Sequence, residues 1–321
     1  MCTAISWAQR DHYFGRTLDL EQSFGEQVII TPRYYPLQFR HLPSQEKHYA
    51  IIGMAVAAQG APLYFDAVNE MGLCVAALNF PSLCQYRPYR PGMTAVASYE
   101  VIGWVLGQCA GLEQAASLLQ NCVITGEAFS LEYAPTPLHW LVADEHGSLV
   151  VESTAKGVEI YQGCGVLTNS PEYPKQLEYA AEFAALSPKC PSTQRGMGSL
   201  GLPGDFTSQG RFVRADFLKK HCVCDNSEGD AVEQFFHMME LVSQPRGCVV
   251  TDDGALVQTQ YTSCCNTDKG IYYYTTSTNR RICGVDLHGA DLKGGQLLCY
   301  PVHKRPDFRM EPQSRLTESA K

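Results

Sequence analysis

The sequence predicts an α+β protein with four layers, in which two stacked antiparallel sheets lie between outer helical layers. Strand-like segments dominate the beginning and the end of the chain, whereas helical segments are concentrated in the middle. A doubly wound parallel sheet would instead alternate strands and helices along the whole chain. With 321 residues, of which 45% are hydrophobic and 18% charged, the chain can bury a large core. We therefore expect one domain, spanning residues 2–321 once Met1 is removed.

Apolar runs bounded by turn residues predict the strands of the N-terminal part. These strands cover residues 2–7, 13–19, 28–32, 49–56 and 74–78. The turn at 9–12 would pair the first two strands as a hairpin, which would bring Arg16 and Asp19 close to Cys2. The last of these strands ends at Asn79, because Pro81 cannot continue a central ladder.

The middle of the chain combines helical and strand patterns. Apolar residues at helical spacing predict a helical stretch over 99–120, which Gly111 divides in two. A strand at 166–171 includes Asn169 and stops at Pro171. The other predicted strands are 138–143, 148–153, 158–161, 257–263, 270–276 and 281–286, and the other predicted helices are 174–186, 212–222 and 230–243.

Composition excludes several kinds of partner. The net charge is −8, the pI is about 5.6, and no basic stripe indicates nucleic-acid binding. No run of about 18 apolar residues indicates a membrane span, and no signal-peptide pattern opens the chain. Fourteen irregularly spaced cysteines favour reduced thiols and a cytosolic location. The cluster at 221–224 lacks a second ligand pair at zinc spacing, so we expect no metal site.

The first three residues, Met1, Cys2 and Thr3, carry a chemical possibility of their own. Removal of Met1 would leave a thiol and a free α-amine on one residue. An α-amine titrates near ~8, so a fair share is neutral at pH 7 and able to accept the thiol proton. Cys2 would then be both nucleophile and base, as in N-terminal-nucleophile hydrolases.

Ten short segments along the chain form a recognisable series. They are Met-Cys-Thr at 1–3, Gly-Arg-Thr-Leu-Asp at 15–19, Asn-Glu-Met-Gly-Leu at 69–73, Leu-Asn-Phe-Pro at 78–81, Leu-His-Trp at 138–140, Leu-Thr-Asn-Ser-Pro at 167–171, Gly-Leu-Pro-Gly-Asp-Phe at 201–206, Arg-Phe-Val-Arg at 211–214, Gln-Tyr-Thr-Ser at 260–263 and Gly-Ile-Tyr-Tyr-Tyr at 270–274. This is the order seen in the choloylglycine hydrolase family, and the chain resembles its bile salt hydrolases and penicillin V acylases from residue 2 to about 300. The resemblance implies the αββα fold, loss of Met1, hydrolysis of a non-peptide amide, a homotetramer, and no metal or organic cofactor.

The resemblance also implies the catalytic residues, which are Cys2, Arg16, Asp19, Asn79, Asn169 and Arg211. Cys2 would form a thioester, and Asp19 would orient its α-amine. Arg16 would favour the thiolate. Asn79 and Asn169 would donate hydrogen bonds in an oxyanion hole.

Arg211 is expected to point into the site, although Arg214 lies on nearly the same face of the predicted helix. Between the two, the order of the family segments favours Arg211.

A bile salt carries a flat steroid body, so its pocket needs an apolar wall. The candidates for this wall are Leu18, Tyr64, Phe65, Phe129 and Leu131. The segment 126–137 departs from the family pattern. The loop Gly196-Met197-Gly198 is expected to lie over the amino-acid end of the substrate, where it favours glycine conjugates.

The resemblance therefore implies hydrolysis of glycine- or taurine-conjugated bile salts, which are small-molecule substrates. Penicillin V acylase activity is the nearest alternative. Asn79 favours bile salts, because penicillin acylases of Gram-positive relatives commonly have tyrosine there. Hydrolysis of other N-acyl amines or of acyl-homoserine lactones by the same site is a third possibility. A non-enzymatic scaffold would have lost some of the six catalytic positions, and here all six are present.

Overall fold

Two antiparallel sheets pack face to face, and each carries helices on its outer face. The computed structural model describes residues 1–189 and 198–313. The strands are, in chain order, β1 (Cys2–Ala8), β2 (His12–Leu20), β3 (Gln27–Thr31), β4 (Ile51–Ala58), β5 (Ala61–Asn69), β6 (Cys74–Asn79), β7 (Ala95–Ala97), β8 (Val123–Thr125), β9 (Leu138–Asp144), β10 (Gly147–Thr154), β11 (Gly157–Gln162), β12 (Val166–Leu167), β13 (Val249–Val250), β14 (Leu256–Asn266), β15 (Ile271–Thr276), β16 (Cys283–Asp286) and β17 (Leu298–Pro301). The helices are α1 (Val101–Gln108), α2 (Leu112–Gln120), α3 (Tyr173–Ala181), α4 (Ser208–His221) and α5 (Glu228–Glu240).

The sheet that contains Cys2, called here the N-terminal sheet, has the order β12-β1-β2-β14-β15-β16, with β13 paired to β14. The second sheet has the order β11-β10-β9-β6-β5-β4-β3-β17. All pairings within these two sheets are antiparallel, and the short strands β7 and β8 form a separate parallel pair. The N-terminal sheet therefore combines strands from both ends of the chain.

The layers follow from the contacts between elements. Strands β1 and β2 contact β6 across the space between the sheets. Helix α1 packs on β4, β5 and β6, and α2 packs on β9, β10 and β11, so both cover the second sheet. Helix α4 packs on β1 and β12, and α5 packs on β2 and β14, so these helices cover the N-terminal sheet. The predicted four-layer αββα architecture is confirmed.

One glycine is required by the close approach of two central strands. A Cβ at Gly15 in β2 would lie 2.0 Å from the backbone oxygen of Ser263 in β14. Real Cβ atoms cannot approach a carbonyl oxygen that closely, so only glycine permits this spacing. The next residue, Arg16, is fully buried.

The sequence missed two strands of the second sheet. Strand β5 was missed because Pro62 and Asp66 interrupt its apolar pattern, yet the strand is central and Asp66 is buried. Strand β17 was missed because this edge strand is mostly exposed and shows no apolar alternation. Helix α4 begins at Ser208, before the predicted start at 212, because the Thr207 side chain accepts a hydrogen bond from Gly210 N at 3.0 Å.

Candidate active site

Cys2 lies at the first position of β1, and its thiol is held against a buried guanidinium. The backbone of Cys2 pairs with Leu18 in the adjacent strand β2. Arg16 Nη2 donates a hydrogen bond to Cys2 Sγ at 2.5 Å. Only 2% of Cys2 is exposed, so little water screens this contact. The predicted proximity of Arg16 and Cys2 is present in the structure.

Backbone carbonyls fix the orientation of Arg16. Its Nε donates to Thr17 O at 3.2 Å, and its Nη1 donates to Phe65 O at 3.2 Å and to Ala77 O. Two of these carbonyls belong to the second sheet, so the guanidinium bridges the two sheets. Burial lowers the pKa of Arg16, but Cys2, Tyr261, Asp66 and Asp19 outweigh it and raise the pKa overall. Arg16 is therefore a permanent positive charge beside the thiol.

A buried carboxylate that the sequence did not single out lies near Arg16. Asp66 in β5 accepts hydrogen bonds from Tyr261 Oη at 2.5 Å, Tyr272 Oη at 2.7 Å and Ser263 Oγ at 2.9 Å. Burial raises the pKa of Asp66, while Arg16 and the three hydroxyls oppose this rise. The three donors belong to segments at 260–263 and 270–274 that the family resemblance had marked without a role. The sequence signal that could have revealed this cluster is the hydroxyl-bearing side chains at alternate positions of β14 and β15.

Asp19 is fully buried and lies close to both site arginines. Its carboxylate accepts hydrogen bonds from Thr259 Oγ1 at 2.6 Å and from Thr17 Oγ1 at 3.1 Å. Its backbone N donates to Met1 O at 2.9 Å, so Met1 extends the ladder between β1 and β2. The predicted contact between the Asp19 carboxylate and a Cys2 α-amine concerns the chain without Met1, and it stays a prediction.

Arg211 connects the first turn of α4 to the N-terminal strand. Its Nη1 donates to Cys2 O at 2.5 Å and to Thr3 Oγ1 at 2.7 Å, and its Nη2 donates to Asn169 Oδ1 at 2.7 Å. Burial lowers the pKa of Arg211, an effect that Asp19 and Cys2 partly offset. Arg214 instead donates to the carbonyls of residues 203, 205 and 241. The structure thus brings Arg211, and not Arg214, to Cys2.

The two asparagines meet each other and Cys2. Asn169 Oδ1 accepts from Cys2 N at 2.9 Å, and Asn169 Nδ2 donates to Asn79 O at 2.7 Å. Because Asn169 Oδ1 accepts from both Cys2 N and Arg211 Nη2, these two donors determine the orientation of the Asn169 amide. Asn79 Oδ1 is buried and has no hydrogen-bond partner among residues 1–189 and 198–313. All six residues predicted to be catalytic therefore come together, from β1, β2, β6, the segment after β12 and the first turn of α4.

The five predicted wall residues separate in space. Leu18 belongs to the inner core cluster that contains Cys2. Phe65 is partly buried and packs against this cluster, with its ring 6.4 Å from that of Tyr261. Tyr64 instead belongs to the outer cluster under α1, where its hydroxyl lies 2.6 Å from Thr31 Oγ1. The pairing of β4 with β5 skips Phe65, and this bulge turns Tyr64 away from the site, contrary to prediction.

The segment 126–137 also differs from the prediction. Phe129 packs edge-on against Tyr99 at a centroid distance of 5.3 Å, beside an open cavity lined by residues such as Tyr35 and Leu63. Leu131 is fully exposed and packs into no wall. Neither residue joins the cluster around Cys2. In the predicted loop over the substrate, Gly196 and Met197 lie outside the described residues.

Metal-ligand clusters and membrane-spanning helices are two features that the described part of the chain lacks. Among residues 1–189 and 198–313, no group of three or more His, Cys, Asp or Glu side chains is arranged to hold a metal ion. No helix in these ranges is long and apolar enough to cross a membrane.

A buried thiol at the start of a strand, in contact with one arginine and within a four-layer αββα stack, defines the class of N-terminal-nucleophile hydrolases. A family model described as linear amide C–N hydrolases, choloylglycine hydrolase family, matches residues 2–300. The chain belongs to this family, as the sequence predicted, and it is a hydrolase acting on linear amide bonds.

Several relatives match over nearly their full length. The chain is 41% identical to the bile salt hydrolase/transferase of Lactiplantibacillus plantarum over 320 residues, which cover 96% of this chain and 99% of that protein. A mutant of the conjugated bile acid hydrolase from Clostridium perfringens superposes with a TM-score of 0.89 at 32% identity, covering 97% of this chain and 99% of that structure. Penicillin V acylase from Agrobacterium tumefaciens superposes with a TM-score of 0.77 at 21% identity, covering 95% and 94% of the two chains, and shows the shared fold alone.

Proposed function

We propose that the protein, after removal of Met1, hydrolyses the amide bond of glycine- or taurine-conjugated bile salts. The observation that carries this proposal is the position of Cys2 Sγ, 2.5 Å from Arg16 Nη2, in a chain similar over its length to two proteins named for bile salt or conjugated bile acid hydrolysis. Penicillin V acylase is the less supported alternative, because the similarity to that enzyme is at the level of the fold.

The reaction begins at Cys2. Its α-amine accepts the thiol proton, and the thiolate attacks the amide carbonyl of the substrate. When the tetrahedral intermediate collapses, the C–N bond breaks. The protonated α-amine of Cys2 then returns its proton to the leaving glycine or taurine amine. Water, deprotonated by the same α-amine, then cleaves the thioester, releasing the free bile acid and restoring the thiol.

The surrounding residues supply charge and orientation. Arg16 stabilises the thiolate, because its guanidinium is buried and fixed by three carbonyls. Asp19 orients the ammonium form of the α-amine. The amide groups of Asn79 and Asn169 donate hydrogen bonds to the oxyanion. Arg211 holds Asn169 and the carbonyl of Cys2 in their relative positions.

An apolar surface for the steroid body extends from Phe65. The rings of Phe24 and Phe65 lie 6.2 Å apart, and Phe24 is 44% exposed although it is aromatic. Large exposed aromatic side chains beside a polar site are typical of ligand-binding walls. We assign this surface, with Leu18 behind it, to the steroid. The preference for glycine conjugates remains a prediction from the sequence.

Product release from glycocholate, taurocholate and penicillin V tests the proposal. The purified protein, with loss of Met1 verified by intact mass, is compared with its Cys2→Ala variant. We expect fast cleavage of a bile salt that depends on Cys2, and slow cleavage of penicillin V. Fast cleavage of penicillin V alone would refute the substrate assignment, and equal turnover by Cys2→Ala would refute the mechanism.

The proposal extends to assembly and location. A homotetramer and a cytosolic location are implied by the family resemblance and by the cysteine content. In support of a reducing environment, all thirteen cysteines in the described part of the chain carry free thiols. Analytical ultracentrifugation of the purified protein tests the tetramer, and a monomer at micromolar concentration would contradict it.

A further inference from the structure

A buried imidazole and carboxyl pair lies directly behind the two site asparagines. His139 in β9 and Glu152 in β10 face each other across their ladder, and both side chains are fully buried. His139 Nδ1 lies 3.3 Å from Glu152 Oε1. The proposed reaction uses neither group, although burial of two titratable side chains is costly unless they are paired.

The His139 ring contacts both chain segments that carry the asparagines. Its Nε2 lies 3.0 Å from the carbonyl oxygen of Thr168, the residue before Asn169. Its face stacks on Phe80, the residue after Asn79, with centroids 4.5 Å apart and planes inclined by 8°. Strand β6 belongs to the second sheet and β12 to the N-terminal sheet. One side chain therefore connects the two sheets next to the oxyanion hole.

Glu152 extends this connection to the other side of Asn169. Its Oε1 also accepts a hydrogen bond from Tyr173 N at 3.0 Å, at the start of α3. Thr168 is thus held through His139, and Tyr173 is held directly. The short segment between them, which carries Asn169, is anchored at both ends by one buried pair.

The hydrogen-bond partners determine how many protons the pair carries. A carbonyl oxygen only accepts, so His139 Nε2 carries the proton in its bond to Thr168 O. Nδ1 and Glu152 Oε1 then need one more proton between them, because a neutral nitrogen and an ionised oxygen would both be acceptors. One shared proton therefore completes the hydrogen bond between Nδ1 and Oε1.

We propose that His139, supported by Glu152, is a positioning residue that sets the relative placement of Asn79 and Asn169, and hence the geometry of the oxyanion hole. The role rests on the proposed function, since it concerns the amide hydrolysis carried out at Cys2. His139 acts through Thr168 and Phe80 and does not contact the substrate.

The test is His139→Phe, which keeps the ring stacked on Phe80 but removes both hydrogen bonds. We expect kcat to fall between about 10-fold and about 100-fold, because small displacements of transition-state donors have effects of this size. KM should change by less than about threefold, because the loss concerns the transition state. Alkylation of Cys2 by iodoacetamide, followed on the N-terminal peptide, should keep its rate, because Arg16 and the α-amine are untouched.

A matched control is His12→Phe. His12 is also buried and bonded through both ring nitrogens, to Ser6 Oγ and Thr267 Oγ1, but it lies at the opposite end of β2 from Cys2. Its variant should lose stability and keep kcat per folded molecule. If His139→Phe does not fold, Glu152→Gln decides instead. While Nε2 donates to Thr168, an amide NH2 group in place of Oε1 could donate to Nδ1 but could not accept from Tyr173 N, and an amide oxygen there could accept from Tyr173 N but could not donate to Nδ1.

Three outcomes would overturn the role. The first is an unchanged kcat in folded His139→Phe, or in Glu152→Gln where His139→Phe does not fold. The second is a loss of Cys2 alkylation rate equal to the loss of kcat. The third is a loss of kcat in the His12→Phe control equal to that in the test variant. The kcat of each variant is compared with that of the wild type on the substrate that the wild type cleaves, which is glycocholate, taurocholate or penicillin V. A wild type that cleaves only penicillin V would refute the proposed substrate while leaving the positioning role testable.

Discussion

Acid should destabilise this protein through one buried histidine, His12 in β2. The His12 ring is bonded to Ser6 Oγ at 2.8 Å and to Thr267 Oγ1 at 2.9 Å, both of which are satisfied by a neutral imidazole. Burial lowers the pKa of His12 from 6.5 to about 4, with Lys219 acting in the same direction and Asp268 and Asp144 opposing it. Protonation of His12 is therefore easier in the unfolded chain than in the folded one.

The sign and size of the effect follow from this difference. Between pH 6.5 and about 4 the unfolded chain binds a proton at His12 that the folded chain does not bind. The free energy of unfolding therefore falls as the pH falls through this window, and it changes no further below it. Since one pKa unit corresponds to about 1.4 kcal/mol, the full contribution of His12 is about 3 kcal/mol.

The assay is urea unfolding, followed by tryptophan fluorescence, of the wild type and of His12→Gln. Glutamine can bond to the same two hydroxyls but does not titrate. Other groups titrate in both proteins, so the difference between their pH dependences isolates His12. Between pH 7.5 and pH 4, the wild type should lose about 3 kcal/mol more than His12→Gln. Parallel losses in the two proteins would refute the reasoning.

Three further substitutions test the site and its support. Asp19→Ala should lower kcat by about tenfold or more with little change in KM, because its carboxylate orients the base; a change confined to KM would place Asp19 in the substrate pocket instead. Asp66→Asn should lower the free energy of unfolding by about 1–3 kcal/mol, because the neutral amide no longer compensates the buried charge of Arg16, and an unchanged urea midpoint would contradict this role. Gly15→Ala should cost at least about 1–3 kcal/mol, since its Cβ would lie 2.0 Å from Ser263 O, and a midpoint equal to that of the wild type would show that β2 and β14 can separate.

Most of the architecture could be predicted from local patterns. The order of strands and helices reflects alternation and helical periodicity, which short windows of sequence contain. Cys2 could be predicted as a candidate nucleophile because the proposed chemistry depends only on Cys2 being next to Met1. Arg16 and Asp19 followed, because a hairpin brings the strand after a turn back to the strand before it.

The placement of neighbouring residues needed the tertiary structure. Periodicity puts Arg211 and Arg214 on nearly the same face of α4. The family segments favoured Arg211, and the packing of α4 on β1 brings Arg211 to Cys2. Tyr64 and Phe65 were both named as wall candidates, and the bulge between β4 and β5 decides that Phe65 packs on the inner cluster and Tyr64 in the outer one. A bulge depends on how two strands pair, which the sequence of one strand does not contain.

The sequence by itself indicated the family, the layer order and six candidate catalytic residues, with Cys2 as the candidate nucleophile. The tertiary structure decided which buried groups support them. Asp66 reaches hydroxyls on two strands of the opposite sheet, and His139 reaches the backbone next to Asn169 from another strand. These contacts join residues that are far apart in the chain, so no local pattern records them. They exist because two sheets pack against each other, and polar groups buried between them are stabilised by hydrogen bonds to partners on the opposite sheet.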